Sequence, residues 1–168
     1  MNEIKKLKEK QEELKRGLEE LEIQINELEK KEITKSGKRW RGAKDRFYWY
    51  IESDCKVYAE YEKDDDYYNA RYKIGNYFRT KEEAEKTIEK IKIYARLKDL
   101  ALRLNEGREV NWDDSAQDKW HIYYEYNSLT TTGSYGYQDI GQIYCLDSNF
   151  LNIAKREIGE ENLKKLFE

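Results

Sequence analysis

Ile4, Leu7, Gln11, Leu14, Leu18, Leu21, Ile25 and Leu28 follow one another at alternating spacings of three and four residues. That is the a/d pattern of a heptad repeat, the seam of a coiled coil. A helix with a narrow apolar stripe and charge elsewhere hides that stripe only against another helix. Its partner is either a second copy of itself, making a homodimer, or the long helix expected further along. The seam helix is expected from Met1 to about Ile33. Gln11 occupies an a position, where one polar residue fixes register at some cost in stability. Gly17 costs about 1 kcal/mol against Ala in a helix interior. In a parallel homodimer Glu3 and Lys8 would attract, whereas Lys10 would face Lys15. Dimerisation and packing on the chain's own globular part are both open.

Charged residues make up 40% of the sequence, a composition that alone suggests disorder, but 15 Tyr, 4 Trp and 4 Phe stand beside them. Disordered segments lack aromatics because they cannot bury enough apolar surface to offset ordering entropy. Residues after about Arg46 are therefore expected to fold around a small aromatic core. A net charge of -3 excludes both a globally basic nucleic-acid coat and the extreme acidity of a whole-surface DNA mimic. The N-terminus is charged from Glu3 onward, and no apolar run is long enough to span a bilayer. Cys55 and Cys145 are far apart and read as free thiols in a reducing compartment. The expected location is the bacterial cytoplasm, where the Lys-, Glu-, Ile-, Tyr- and Asn-rich usage also fits.

Three segments follow: a coiled-coil helix over 1–33, a basic linker over 34–46 and an α+β domain over 47–168. The linker carries Lys38, Arg39, Trp40, Arg41, Lys44 and Arg46. It reads as a solvated hinge or as a phosphate-tracking strip with an aromatic for base stacking. In the domain, Phe47 to Ile51 and Val57 to Tyr61 make a hairpin. A third strand is expected at Arg71 to Phe78. Thr80 and Glu83 form a capping box opening a helix that stops before Gly107. Its apolar stripe is expected at Ala84, Ile88, Ile91, Ala95 and Leu102, with Ile93, Leu97, Leu100 and Leu104 beside it. Trp120 to Tyr126 is a further strand, Ser128 to Gly136 a loop, Ile140 to Leu146 a strand, and Asp147 or Ser148 caps a closing helix. The small sheet is mostly antiparallel. Ile74–Phe78 and Ile140–Tyr144 echo each other, each after an aromatic strand and before a cap and helix. That points to two related strand–strand–helix units.

Little in the chain suggests catalysis. His121, the one histidine, sits in a strand without triad spacing, and Cys145 across the sheet could serve it as a nucleophile. Asp64, Asp65 and Asp66 could gather a hard cation, but the glycine and terminal glutamate of a calcium loop are missing. They also read as a solvated loop or as an acidic contact patch. Neither cofactor nor metal is expected. Strand alternation turns some tyrosines outward, and exposed Tyr is interface composition. Tyr58, Tyr61, Tyr67, Tyr68 and the loop residues Tyr135 and Tyr137 join the three aspartates as partner-binding candidates.

The run Ile74-Gly75-Asn76-Tyr77-Phe78-Arg79-Thr80-Lys81-Glu82-Glu83-Ala84-Glu85, and Glu157 to Leu166 near the end, resemble small accessory proteins of Firmicutes phages and prophages. The likeness spans about 47–168 and rests on a strand–cap–helix pattern that transfers no catalytic residue. It implies a non-enzymatic protein that binds and inhibits a host defence complex, in the manner of an anti-CRISPR protein. A strand–strand–strand–cap–helix pattern also resembles arm-binding domains of phage integrases, which implies DNA contact; a nucleic-acid-binding accessory protein would use the 38–46 strip. A sponge for a nucleotide signal, with tyrosines stacking on the base, is a further alternative.

Overall fold

A computed structural model of the chain describes residues 2–134 and 138–168. It has an α+β fold of five helices and four strands in the order α1 (Asn2–Ser36), β1 (Phe47–Ile51), β2 (Val57–Tyr61), α2 (Asp66–Lys73), α3 (Lys81–Asn105), β3 (Lys119–Glu125), β4 (Ser128–Ser134), α4 (Phe150–Glu157) and α5 (Glu160–Lys164). The strands pair as two separate two-stranded sheets, β1–β2 and β3–β4, rather than one small sheet. Each hairpin is followed by two helices, but the echoing segments Ile74–Phe78 and Ile140–Tyr144 are not strands of either hairpin. Two compact units result: Met1–Tyr48 with Glu60–Arg79, and Trp49–Ala59 with Thr80–Glu168.

In the first unit the seam helix runs past Ile33 to Ser36. The stretch expected to be a free linker is instead knitted into the unit. Asp45 donates its amide to the Glu62 carbonyl at 2.8 Å, and Glu62 returns its own to the Arg46 carbonyl at 2.9 Å. The expected strand at 71–78 is also replaced, because Asp65 accepts from the amides of Tyr67 (3.0 Å) and Tyr68 (3.3 Å) and so starts α2. A side-chain cap satisfies donors that a strand would have to pair elsewhere. The β1–β2 turn places Cys55 at φ 60 and closes with the Cys55 amide on the Glu52 carbonyl at 3.0 Å.

The second unit is built on α3. The Thr80 hydroxyl accepts from the Glu83 amide at 3.2 Å, and the Glu83 carboxylate accepts from the Thr80 amide at 3.4 Å. The helix ends where Glu106 (φ 51) and Gly107 (φ 77) turn left-handed, the usual way a helix terminates. Ala84, Ile88, Ile93, Leu97, Leu100 and Ala101 are buried, but Ile91 and Leu102 of the expected stripe face water, as does Ala95. The buried line drifts around the helix as an α-helical period requires over seven turns. Residues 128–134, expected to be a loop, form β4, paired in register with β3 from Lys119↔Ser134 to Glu125↔Ser128. The two-residue turn between them holds Tyr126 (φ 47) and Asn127 (φ 63) left-handed, the geometry that matches strand twist in a tight hairpin. The expected strand at 140–146 reduces to one bridge, Cys145 with Trp120. Ile122, Leu129, Cys145, Phe150, Ala154, Ile158 and Leu163 complete the core against α3. Asn149 occupies the N-cap of α4 without a side-chain bond; Asp147 accepts from the Asn149 amide at 2.8 Å instead.

Candidate interaction surface

The first unit is organised by two carboxylates from the end of the β1–β2 hairpin. Glu62 is 1% exposed. Its oxygens accept from Arg41 Nη2 at 3.1 Å and Nε at 3.3 Å, from the Tyr77 hydroxyl at 2.7 Å and from the Asp64 amide at 2.7 Å. Glu60 accepts from the Tyr68 hydroxyl at 2.8 Å and from Arg71 Nη1 at 2.9 Å. Arg71 is itself buried. It donates to the Tyr48 hydroxyl at 2.8 Å and to the Tyr67 hydroxyl, and its guanidinium lies 4.3 Å from the Tyr67 ring centre. Tyr48 stacks on Tyr77 at 4.0 Å and meets Tyr68 edge-on at 6.0 Å. Each buried charge therefore has an opposite charge and hydrogen-bond partners around it, the condition under which burial is tolerated.

Protonation follows from this arrangement. Burial alone would raise Glu62, but the bonds from Arg41 and Tyr77 outweigh it and hold the carboxyl below its ordinary range. Glu60 behaves alike, with burial opposed by Tyr68 and Arg71. Burial pushes the Tyr48 phenol up to about 12, although Arg71 works against it. Burial, and then the bond to Glu62, raise Tyr77 as well. At neutral pH the network holds two carboxylates, two guanidiniums and neutral phenols.

Around this fixed interior some aromatics remain in water. Phe47 (52%) and Tyr61 (48%) are exposed with ring centres 3.8 Å apart, and Tyr67 on α2 is 57% exposed. Of the other partner-binding candidates, Tyr58 is exposed and donates to Asp54 at 2.9 Å. Tyr68 is buried, because its ring fills the space beside Tyr48 and its hydroxyl serves Glu60. Asp64 pairs with Arg41 at 3.1 Å, Asp65 caps α2 and Asp66 lies in its first turn. The acidic run is thus largely used in holding the fold. Tyr135 and Tyr137 lie outside the described residues. Sequence reasoning passed over Phe47, whose signal was its place at a strand start opposite a tyrosine.

The 38–46 strip is divided in the same way. Arg41 is committed to Glu62 and Asp64. Arg39 lies over the Tyr72 ring at 4.7 Å, and Trp40 leans on Tyr77 at 5.6 Å. Lys38, Arg39, Lys44 and Arg46 are exposed. A continuous phosphate-tracking face would require Arg41 to leave a buried carboxylate, which is costly.

In the second unit, His121 and Cys145 are both buried. Burial lowers the imidazole and raises the thiol, opposite to what a thiolate–imidazolium pair needs. Among the described residues no three His, Cys, Asp or Glu side chains gather to hold a metal, and no helix is long and apolar enough to cross a membrane. A groove of about 280 Å³, lined by Tyr94, Leu97, Ile122, Ile143, Leu166 and Phe167 among others, has no charged group in its lining. The chain matches no family model, no curated protein and no solved structure.

Proposed function

We propose that this chain is a non-enzymatic binding protein of phage or prophage origin that inhibits a macromolecular defence complex of a bacterial host. The observation that carries the reading is the pair Phe47 and Tyr61, in close tilted contact and half in water on a hairpin whose base is fixed by largely buried ion pairs. Aromatic rings held rigidly at a surface lose little entropy when a partner covers them, and they dominate interface energies. Tyr67, clamped by Arg71, adds a third such ring. The phage-accessory likeness of residues 74–85 supplies the class of target. The committed state of Trp40 and Arg41 favours a protein target over DNA tracked by the basic strip.

The test is affinity capture of the tagged protein from lysates of bacteria carrying defence complexes, with and without nuclease, together with phage plating on defended hosts. A discrete protein partner that survives nuclease, and is lost on replacing Phe47 and Tyr61 by Ser, supports the reading. Recovery that disappears with nuclease moves the function to nucleic acid.

A further inference from the structure

The seam of α1 is uncovered in the single chain: Ile4, Leu7, Leu14, Leu18, Leu21 and Leu28 each keep more than half of their surface in water, and Ile25 keeps 38%. Apolar residues left out in a continuous stripe mark a surface that is covered in the working state. We infer that a second copy of this chain covers it, lying antiparallel in one register. Ile4 faces the partner's Leu28, Leu7 its Ile25, Gln11 its Leu21 and Leu14 its Leu18. This register uses all eight seam positions; a slip of one heptad leaves two layers empty at the ends.

The flanking charges set the direction. The e positions read Lys8, Lys15, Glu22 and Glu29, and the g positions read Glu3, Lys10, Gly17, Gln24 and Lys31. In an antiparallel pair e faces e and g faces g. Glu22 then lies between the partner's Lys8 and Lys15, and Glu3 lies near the partner's Lys31, each relation occurring twice by symmetry. One like-charged pair remains, Lys15 with its own copy across the two-fold axis. Cα–Cβ bonds tilt toward each helix's N-terminus, so these two stems lean apart. In a parallel pair e faces g. Lys10 would meet the partner's Lys15 on both sides, cancelling Glu3 with Lys8, while Glu22 would face Gly17 and gain nothing.

Gln11 argues the other way, since a parallel pair would let its amide meet its own copy. That single neutral contact stands against two lysine pairs forced together. Gly17 fits the antiparallel choice: it falls beside the two-fold axis, and a Cβ there would meet nothing within 4 Å in the single chain. On the g side of that axis neither helix presents a side chain. The inference adds to the function proposed above without depending on it, because it concerns self-association alone.

Disulfide trapping in the full chain tests it. The exposed Cys55 is first replaced by Ser, and buried Cys145 is left in place. Gln11→Cys and Leu21→Cys are then made separately and together. Under mild oxidation neither single variant should link to itself, their equimolar mixture should give an 11–21 disulfide, and the double variant should give a dimer held by two. Sedimentation of the unmodified chain should report two copies, and Leu14→Asp with Leu18→Asp should return it to one copy with its helicity outside α1 intact. A Gln11→Cys chain that links to itself overturns the antiparallel arrangement. A monomer, or a trimer or larger assembly, in the sedimentation experiment overturns the pairing. Capture of a host protein is unaffected by either result, so the two readings fail separately.

Discussion

Replacing Glu62 by Ala removes the acceptor of four donors at once, and the structure allows the cost to be worked out. Breaking a buried charge pair costs about 3–5 kcal/mol. Arg41 is 30% exposed in its side chain and keeps Asp64 at 3.1 Å, so the lower end applies. The buried Tyr77 hydroxyl loses its partner, which adds about 1 kcal/mol. The sum, about 4 kcal/mol, is a large part of the roughly 5–15 kcal/mol that holds a domain folded. Tyr77→Phe should cost only about 1 kcal/mol, since Arg41 and the Asp64 amide still satisfy the carboxylate. Native-state hydrogen exchange reads this by region. Amides in 60–79 should exchange about 1,000-fold faster in Glu62→Ala, while those in β3 and β4 hold their rates. The depressed Glu62 pKa adds a pH signature. A carboxyl whose folded pKa lies below its unfolded value stabilises above the unfolded value, and that stability is lost as pH falls through the folded one. The wild-type first unit should therefore weaken as pH drops below the ordinary 4.5, with a shallower fall in Glu62→Gln. Less than a tenfold change in exchange, or an equal change in both units, would refute the view that Glu62 is the anchor of the first unit.

Other consequences can be checked directly. Tyr48, with a folded value of about 12 against an ordinary 10.0, stabilises below its unfolded value and loses that contribution as pH rises through the interval between them. Alkaline titration followed by exchange of 60–79 should show this loss, absent from Tyr48→Phe. Phe47→Ser with Tyr61→Ser should weaken partner capture at least tenfold while changing stability by no more than about 1 kcal/mol, as an exposed cross-strand pair is worth. Thr80→Ala removes one arm of the capping box and should cost about 1 kcal/mol in thermal or urea unfolding. A maleimide should label Cys55 at once and Cys145 only at the rate of unfolding, since the first is exposed and the second buried; equal rates would show that the second unit's core is open.

The elements legible in the sequence were those with a local physical signature. The seam helix, the Thr80–Glu83 box and the left-handed stop near Gly107 each depend on residues within a few positions of one another. So did the β1–β2 hairpin. The segments that were misread depend on competition. The run expected as a strand at Arg71 to Phe78 carries β-favouring aromatics, but the Asp65 carboxylate caps a helix that runs through Lys73, and Arg71 is drawn to Glu60. Ser128 to Ser134 looks like loop because its side chains are small and polar. It becomes a strand because Asn127 accepts a left-handed turn and the threonines pair across from β3. At the candidate surface, composition identified tyrosine as the material but could not sort the rings. Tyr68 is buried and Tyr67 exposed, although they are neighbours, because helical rotation points one of them at Glu60. The roles of Arg41 and Glu62 depend on a contact across 21 residues, which no local pattern encodes.

The length of α1 has a consequence for how a dimer would present its surfaces. At 1.5 Å per residue, 35 residues make a rod of about 50 Å. In the antiparallel register the ends at Ser36 emerge at opposite poles, about 60 Å apart along the axis. The rod then acts as a ruler: two identical aromatic patches are held far apart, and a target with one binding site gains nothing from the second. A target that repeats its epitope at that spacing would be gripped twice, with the second contact made at an effective concentration set by the rod rather than by solution. Deleting one heptad from each helix shortens the ruler by about 10 Å, so avidity toward a repeating target should depend on the length of α1 even though no residue in contact has changed.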